Sequence, residues 1–324
     1  MDENTILRES GGIIRFGDSD DDLNMKSWDI VKDAVDYPVY IVPAYYKDMS
    51  TGEFVLADGE SGTGRDKDFH LVVVDKFRTG ENQAISTVSG KYGTLETKTV
   101  YEELQKQLMT VDDDGEVIGH NIRSLYISGN GGQQFLTLSI KDMIGMNGIP
   151  DEISMLIQLS TSVDGSKAHT LQSIVHNKTA DTTHFVHGEA NYKLAVRHTN
   201  TVQTRSVNFI TTIKTMIMNW NDVIIPTMAI MFDNKFNQNV GLDLINKICK
   251  ETGIGERHNT KIRELYRSTG VRTNASDDSL YRVNHVFGEY IDDELEDRKE
   301  LQDRFKEGVA KSIAREVKKI KQSK

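Results

Sequence analysis

Five histidines fall within a short stretch of the chain: His169, His176, His184, His187 and His198. His184 and His187 are spaced i, i+3, and Asp181 and Glu189 stand close by. Imidazole nitrogens and carboxylate oxygens are the ligand set of zinc and iron sites, and two or three such groups from neighbouring strands could hold an ion. The chain has no His-Glu-x-x-His run, no paired cysteines and no repeated ligand spacing. Histidines satisfied by hydrogen bonds at a sheet surface account for the same residues. The sequence therefore assigns no metal, no cofactor and no catalytic residue. A Ser-His-Asp set can be drawn from many positions, but there is no Gly-x-Ser-x-Gly.

A second chemistry is phosphate recognition. Lys167, Lys193, Arg197, His198, Arg205 and Lys214 cluster around an expected sheet edge and the start of an apolar helix. Cations and the free N–H groups of a helix N-terminus near Thr204–Ser206 are what a nucleic-acid backbone requires. Lys91 and Tyr92 add a cation and a stacking face. These eight residues form the expected single-stranded nucleic-acid surface. Against it stand a pI near 5.4 and a net charge of −10, so affinity should fall steeply with salt.

The stretch that must position these groups is 192–231. Leu194 and Val196 alternate with Lys193, Ala195 and Arg197, as a strand requires. Val207, Ile210, Ile213, Ile217, Trp220 and Ile224 then recur every three or four positions, one face of a helix. Upstream, short strands follow one another from 69 to 198, with Gly-Asn-Gly-Gly (129–132) and Val-Asp-Gly (163–165) as hairpin turns. Thr99 and Glu102 read as a capping box for a helix bearing Val100, Leu104 and Leu108. The expected fold is α+β: an antiparallel sheet (about 69–198), a long central helix (206–231) with a kink or stop at Pro226, and an all-helical C-terminal region. That region comprises helices at 240–253 and 259–270 and a nearly continuous pattern from 279 to 321, interrupted at Gly288 and Gly308. The expected domains are an acidic, loosely docked arm (1–60), an α+β core (61–235) and a helical region with a basic tail (236–324).

Two glycine- and acid-rich stretches carry little. Residues 59–68 lack the Gly-Lys-Ser/Thr ending of a phosphate loop, and Asp-Asp-Asp-Gly (112–115) lacks the later ligands of a calcium loop. The lone cysteine, Cys249, reads as a small buried hydrophobe. With no disulfide within the chain, no apolar export leader and no apolar run long enough to span a bilayer, a cytoplasmic setting without a membrane is expected.

Charge is distributed unevenly. Residues 1–36 hold ten acids against four bases, and residues 298–324 hold ten bases against four acids. Opposite ends of this kind suit self-association or an anionic partner screened by the acidic head. In the basic end, Val309, Ile313, Val317 and Ile320 form a narrow apolar stripe, expected to pack on a neighbouring subunit in a homo-oligomer.

The order of four motifs resembles a family of uncharacterised phage and plasmid proteins, a domain-of-unknown-function family. These are Val-Ser-Gly-Lys-Tyr (88–92), the turn Ser-Thr-Ser-Val-Asp-Gly-Ser-Lys-Ala (160–168), Arg-His-Thr (197–199) entering a long helix, and Asn-His-Val-Phe-Gly-Glu-Tyr (284–290). The resemblance covers about 84–300. One departure is His176-Asn177, where family members often carry Cys-Asn. The resemblance implies a mobile-element origin, an α+β domain and, if phage-encoded, the host cytoplasm. Combined with the basic junction, it gives the functional expectation of a non-catalytic accessory protein that binds or anneals single-stranded DNA in recombination or replication. The alternative is a phage factor that blocks or scaffolds another protein through its acidic N-terminus.

Overall fold

The computed structural model describes residues 11–16, 21–56, 58–59, 67–76, 78–109, 118–140, 151–184, 193–199, 201–210, 213–268, 272–273, 275, 277–295 and 299–323. In chain order the elements are β1 (Gly12–Arg15), α1 (Asp21–Ala34), β2 (Val39–Pro43), β3 (Tyr45–Lys47), β4 (Phe54–Leu56), β5 (Asp58–Gly59), β6 (Lys67–Val74), β7 (Gln83–Ser89) and α2 (Thr97–Met109). There follow β8 (His120–Ile127), β9 (Gln133–Ile140), β10 (Ile153–Ser162), β11 (His169–Asn177), β12 (Thr182–His184) and β13 (Lys193–Val196). Helices α3 (Val202–Ile210), α4 (Ile213–Asn219), α5 (Ile225–Asp233), α6 (Gln238–Thr252), α7 (Glu256–Arg267), α8 (Leu280–Glu294) and α9 (Lys299–Ser323) complete the chain.

The chain is mixed α+β with a helical C-terminal region, as expected. The main sheet runs β1-β8-β9-β10-β11-β12, with β13 paired antiparallel to β11. A smaller sheet joins β2, β6 and β5, with β7 on β6, and β3 pairs β4. Both expected hairpin turns are present: Gly131 and Gly165 each take φ 74°, the left-handed conformation that such turns need.

Two compact units divide the chain. The first takes 1–139, 157–172 and 193–213, and the second takes 140–156, 173–192 and 214–324. These boundaries do not follow the expected ones. Within the described residues, 1–60 is no separate arm. Gly12–Arg15 pairs with β8, and α1 buries Trp28, Val31 and Ala34 on one face. Acidity misled because the exposed face of a short amphipathic helix carries the charge while a few large residues hold it down. Trp28 also donates its indole N–H to His120 Nε2 at 3.0 Å.

In the first unit, Val72 and Val74 of β6 point inward, and Val74 packs with Tyr37 and Val163. Helix α2 buries Val100, Leu104 and Leu108, as their spacing requires, but it starts at Thr97 rather than at Thr99. The Thr99 hydroxyl instead bonds Glu96 at 3.2 Å.

Among the described residues the region of the expected central helix (206–231) is helical over 202–210 and over 213–233, and within the second stretch a wide π turn at Trp220–Ile224 joins α4 to α5. Pro226 has no N–H to donate. The turn before it opens so that the Ile225 N–H reaches back to the Trp220 carbonyl, and Pro226 takes the first turn of α5. The apolar period persists through the π turn, with Ile213, Met216, Trp220, Ile224, Met228 and Met231 all buried.

In the second unit, α6 begins at the Asn237 cap and ends at Gly253 with φ 69°. Helix α7 starts after Gly255, not at Asn259, which lies buried inside it. The long 279–321 pattern is two helices, α8 and α9, and neither Gly288 nor Gly308 breaks it. Both glycines sit within helices where a neighbour approaches closely: a Cβ on Gly288 would meet the Thr183 carbonyl oxygen at 1.8 Å.

The apolar stripe of α9 corrects a second expectation. Val309, Ile313 and Val317 of that stripe, with Phe305, are buried against the chain's own helices, while Ile320 is half-buried. Ser312 and Arg315 bond Glu251 of α6, and Lys247 of α6 pairs with Glu316. A narrow stripe suffices because α6 and α8 together supply the partner surface. Cys249 is buried on α6, and burial pushes its thiol up to about 12. Among the described residues, no helix is long and apolar enough to cross a membrane.

Candidate nucleic-acid surface and a buried histidine centre

The strand-to-helix junction lies in the first unit. Strand β13 pairs with β11 in the register Leu171↔Leu194 and His169↔Val196, and so delivers Arg197 and His198 at its end. The Thr199 carbonyl accepts from Val202 N at 2.8 Å as α3 opens. Lys91, Arg197 and Arg205 are exposed here. The side chains of Lys193 and Lys214 lie outside the described residues, so four cations, one histidine and one aromatic of the expected surface can be placed.

Three of the expected residues are engaged within the chain. The Tyr92 ring stacks on His198, with centroids 5.1 Å apart and planes 17° from parallel, and its hydroxyl donates to the Val163 carbonyl at 2.7 Å. Tyr92 is therefore a positioning residue, and the expectation that it offers a stacking face is corrected. Burial lowers the His198 pKa, so its imidazole is held neutral and adds no charge near pH 7. The Lys167 ammonium lies 5.4 Å above the Phe135 ring, half-buried.

What the sequence missed is the aromatic face beside this junction. In the β2–β6 register Tyr40 lies opposite Val73 and Val42 opposite Leu71, so by alternation these four and Phe69 share one face. Tyr40, Val42 and Phe69 are exposed on it. A groove of about 460 Å³ is lined by Val39, Tyr40, Ile41, Val42, Val73, Asn82 and Thr94. On β3 and β4, Tyr45 and Phe54 are 59% and 73% exposed, and Phe54 pairs with Lys47 across the ladder. Large apolar side chains left in water in this number make the face a candidate binding surface.

One short segment ties the groove to the basic junction. Thr94 lines the groove, and Gly93 next to it lies so close to Thr199 that a Cβ would meet that residue's carbonyl oxygen at 2.1 Å. Tyr92 stacks on His198, and Lys91 is exposed. The signal in the sequence was the run Asp-Tyr-Pro-Val-Tyr-Ile-Val-Pro-Ala-Tyr-Tyr (36–46), whose prolines mark an edge strand with aromatics to spare.

The histidines separate. His169 is buried in the first unit, where burial and then the charge of His198 lower its pKa to about 3. His176 bonds the exposed Asp181 at 2.9 Å. His187 and Glu189, like the stretches 60–66 and 112–115, lie outside the described residues. His184 alone joins a centre, and its partners come from elsewhere in the second unit.

That centre holds Asp151, His184 and His285, all buried, with one ligand-capable atom of each within 4.8 Å of the others. His184 Nε2 and His285 Nδ1 are 3.1 Å apart. His285 Nε2 lies 3.2 Å from Glu289, one turn further along α8. Burial alone would raise the Glu289 carboxyl, but interactions with His285 and Arg272 outweigh it and hold the group below its usual range. Asp151 Oδ2 accepts from Asn177 Nδ2 and Tyr281 Oη, each at 2.9 Å, and from Thr273. Burial, and then the charges of His285 and His176, lower His184 well below its usual value, so it is neutral.

Backbone packing sets this geometry. Strand β12 sits on α8 where Gly288 admits the Thr183 carbonyl, and Thr183 N donates to Asp292 at 2.7 Å. The β11–β12 turn holds Asn177, whose Oδ1 accepts from Ala180 N at 3.1 Å, and Lys178 N bonds the Glu152 carbonyl beside Asp151. Sequence could have flagged His285 only through its i, i+4 spacing to Glu289.

No protein-family model, no curated protein and no solved structure matches the chain.

Proposed function

We propose that the first unit binds single-stranded nucleic acid, as a non-catalytic accessory of recombination or replication in a phage or other mobile element. The observation that carries this reading is the continuity of a largely apolar groove bearing the exposed Tyr40 with a basic junction through Lys91–Thr94. Single-strand binders combine cations that track phosphates with aromatic faces on which bases stack, each worth about 1–3 kcal/mol. Tyr40 and Phe69 supply such faces, and Lys91, Arg197 and Arg205 supply the charge. Few cations and a net charge of −10 set a modest affinity, in roughly the micromolar range at low salt.

The test is fluorescence anisotropy of a labelled single-stranded oligonucleotide at about 50 mM salt. Saturable binding that is weakened by Tyr40→Ala and by Arg197→Ala supports the proposal, and absence of binding at micromolar protein removes it. A second reading is favoured by Tyr45, Tyr46, Met49 and Phe54, which are more than half exposed and apolar enough to dock a protein. Under that reading Phe54→Ser abolishes a protein pull-down and leaves the oligonucleotide signal absent in both forms.

A further inference from the structure

We infer that Asp151, His184 and His285 form a binding site for one divalent transition-metal ion of the zinc class. The donor set is two imidazoles and a carboxylate, the set that borderline ions take. Three elements of the second unit converge to present it: the start of β10, the end of β12 and the buried face of α8.

The spacing fits an ion. Two nitrogens 3.1 Å apart, each about 2.0–2.1 Å from a shared ion, subtend roughly 100°, close to the tetrahedral angle. The tautomer fits as well. Glu289 Oε2 lies 3.2 Å from His285 Nε2, near enough to favour the proton on that nitrogen although the pair falls short of hydrogen-bond geometry, and in that tautomer Nδ1 turns a lone pair towards His184. A carboxylate behind a ligating histidine is the usual outer support of such sites. Asn177 Nδ2, a hydrogen-bond donor and not a metal ligand, lies 2.9, 3.3 and 3.5 Å from Asp151 Oδ2, His184 Nε2 and His285 Nδ1, and it must swing aside for an ion to enter.

A divalent cation would be offset by Asp151 directly and by Glu289 behind His285, where Glu289 also pairs with Arg272, in a pocket whose ligand side chains are buried and an uncompensated charge is costly. Complete burial assigns the ion a clamping role on β12 and α8, distinct from the nucleic-acid surface of the first unit.

The experiment uses the full chain, stripped with a chelator and re-equilibrated with Zn²⁺ or Co²⁺. The expected result is about one equivalent of zinc, a higher melting temperature with metal than without, and visible ligand-field bands with Co²⁺. Asp151→Asn and His184→Gln should weaken binding at least tenfold. Glu289→Gln leaves all three ligands in place and should weaken it by roughly tenfold; it decides the case if the ligand variants do not fold. Less than about a tenth of an equivalent in the wild-type chain, or ligand variants that bind as the wild type does, would show a hydrogen-bonded cluster only and overturn the inference.

Discussion

His184 Nε2 and His285 Nδ1 lie 3.1 Å apart across 101 residues of sequence, one at the end of a three-residue strand and the other in the middle of a helix. The approach depends on Gly288. Its missing Cβ lets α8 lie directly on β12, where any side chain would enter the Thr183 carbonyl oxygen. Gly288→Ala should therefore lower stability by about 3 kcal/mol or more through overpacking, against a gain of under about 1 kcal/mol from helix propensity. Urea unfolding of the two proteins measures the difference. A stabilised variant would show that the helix shifts freely and that the histidine pair is not pinned.

Acid should destabilise the first unit through His169. Its native pKa is lowered to about 3, whereas the unfolded chain protonates near 6.5. Protons thus favour the unfolded state: the stability is fully present above about pH 6.5 and is lost as pH falls towards 3. Between pH 7 and pH 5 the loss from this one group is about 2 kcal/mol. Denaturant midpoints for the wild type and His169→Gln check this. The variant should show a shallower dependence over that window, and equal slopes would contradict the burial account.

Cys249 should be chemically silent. With the thiol pushed up to about 12 and shielded on α6, thiolate is scarce and access is blocked. A chromogenic disulfide reagent should titrate no thiol in the native chain and one after denaturation. Rapid native reaction would show that α6 opens locally.

Tyr92 and Tyr40 should part company under substitution. Tyr92→Phe removes the hydrogen bond to Val163 and keeps the stack on His198, so it should cost about 1 kcal/mol of stability and leave oligonucleotide affinity unchanged. Tyr40→Ala removes an exposed face, so it should cost affinity and little stability. The reverse pattern would place the stacking site at the junction instead of the groove.

Much of the fold was legible because it rests on local period. The hairpin turns at Gly131 and Gly165, the buried face of α2 and the Gly253 stop follow from residue type and spacing. Partnership was less legible. The stripe of α9 is as narrow as expected, yet its partners α6 and α8 are known only once the chain is folded. The apolar period through Met231 gave no hint that Pro226 would open a π turn ahead of it. At the sites, Arg197 and Arg205 are exposed as composition suggested, but the ring on which Tyr92 spends its face is invisible in one dimension. His285 could not be grouped with His184, because proximity in sequence pointed to His187 instead.

The proposed nucleic-acid surface is tested most directly by the salt dependence of oligonucleotide binding. If Lys91, Arg197 and Arg205 each neutralise a phosphate, log Kobs against log salt should fall with a slope of about −2, easing to roughly −1.4 in Arg197→Ala. A slope near zero, or one that Arg197→Ala leaves unchanged, would contradict the account.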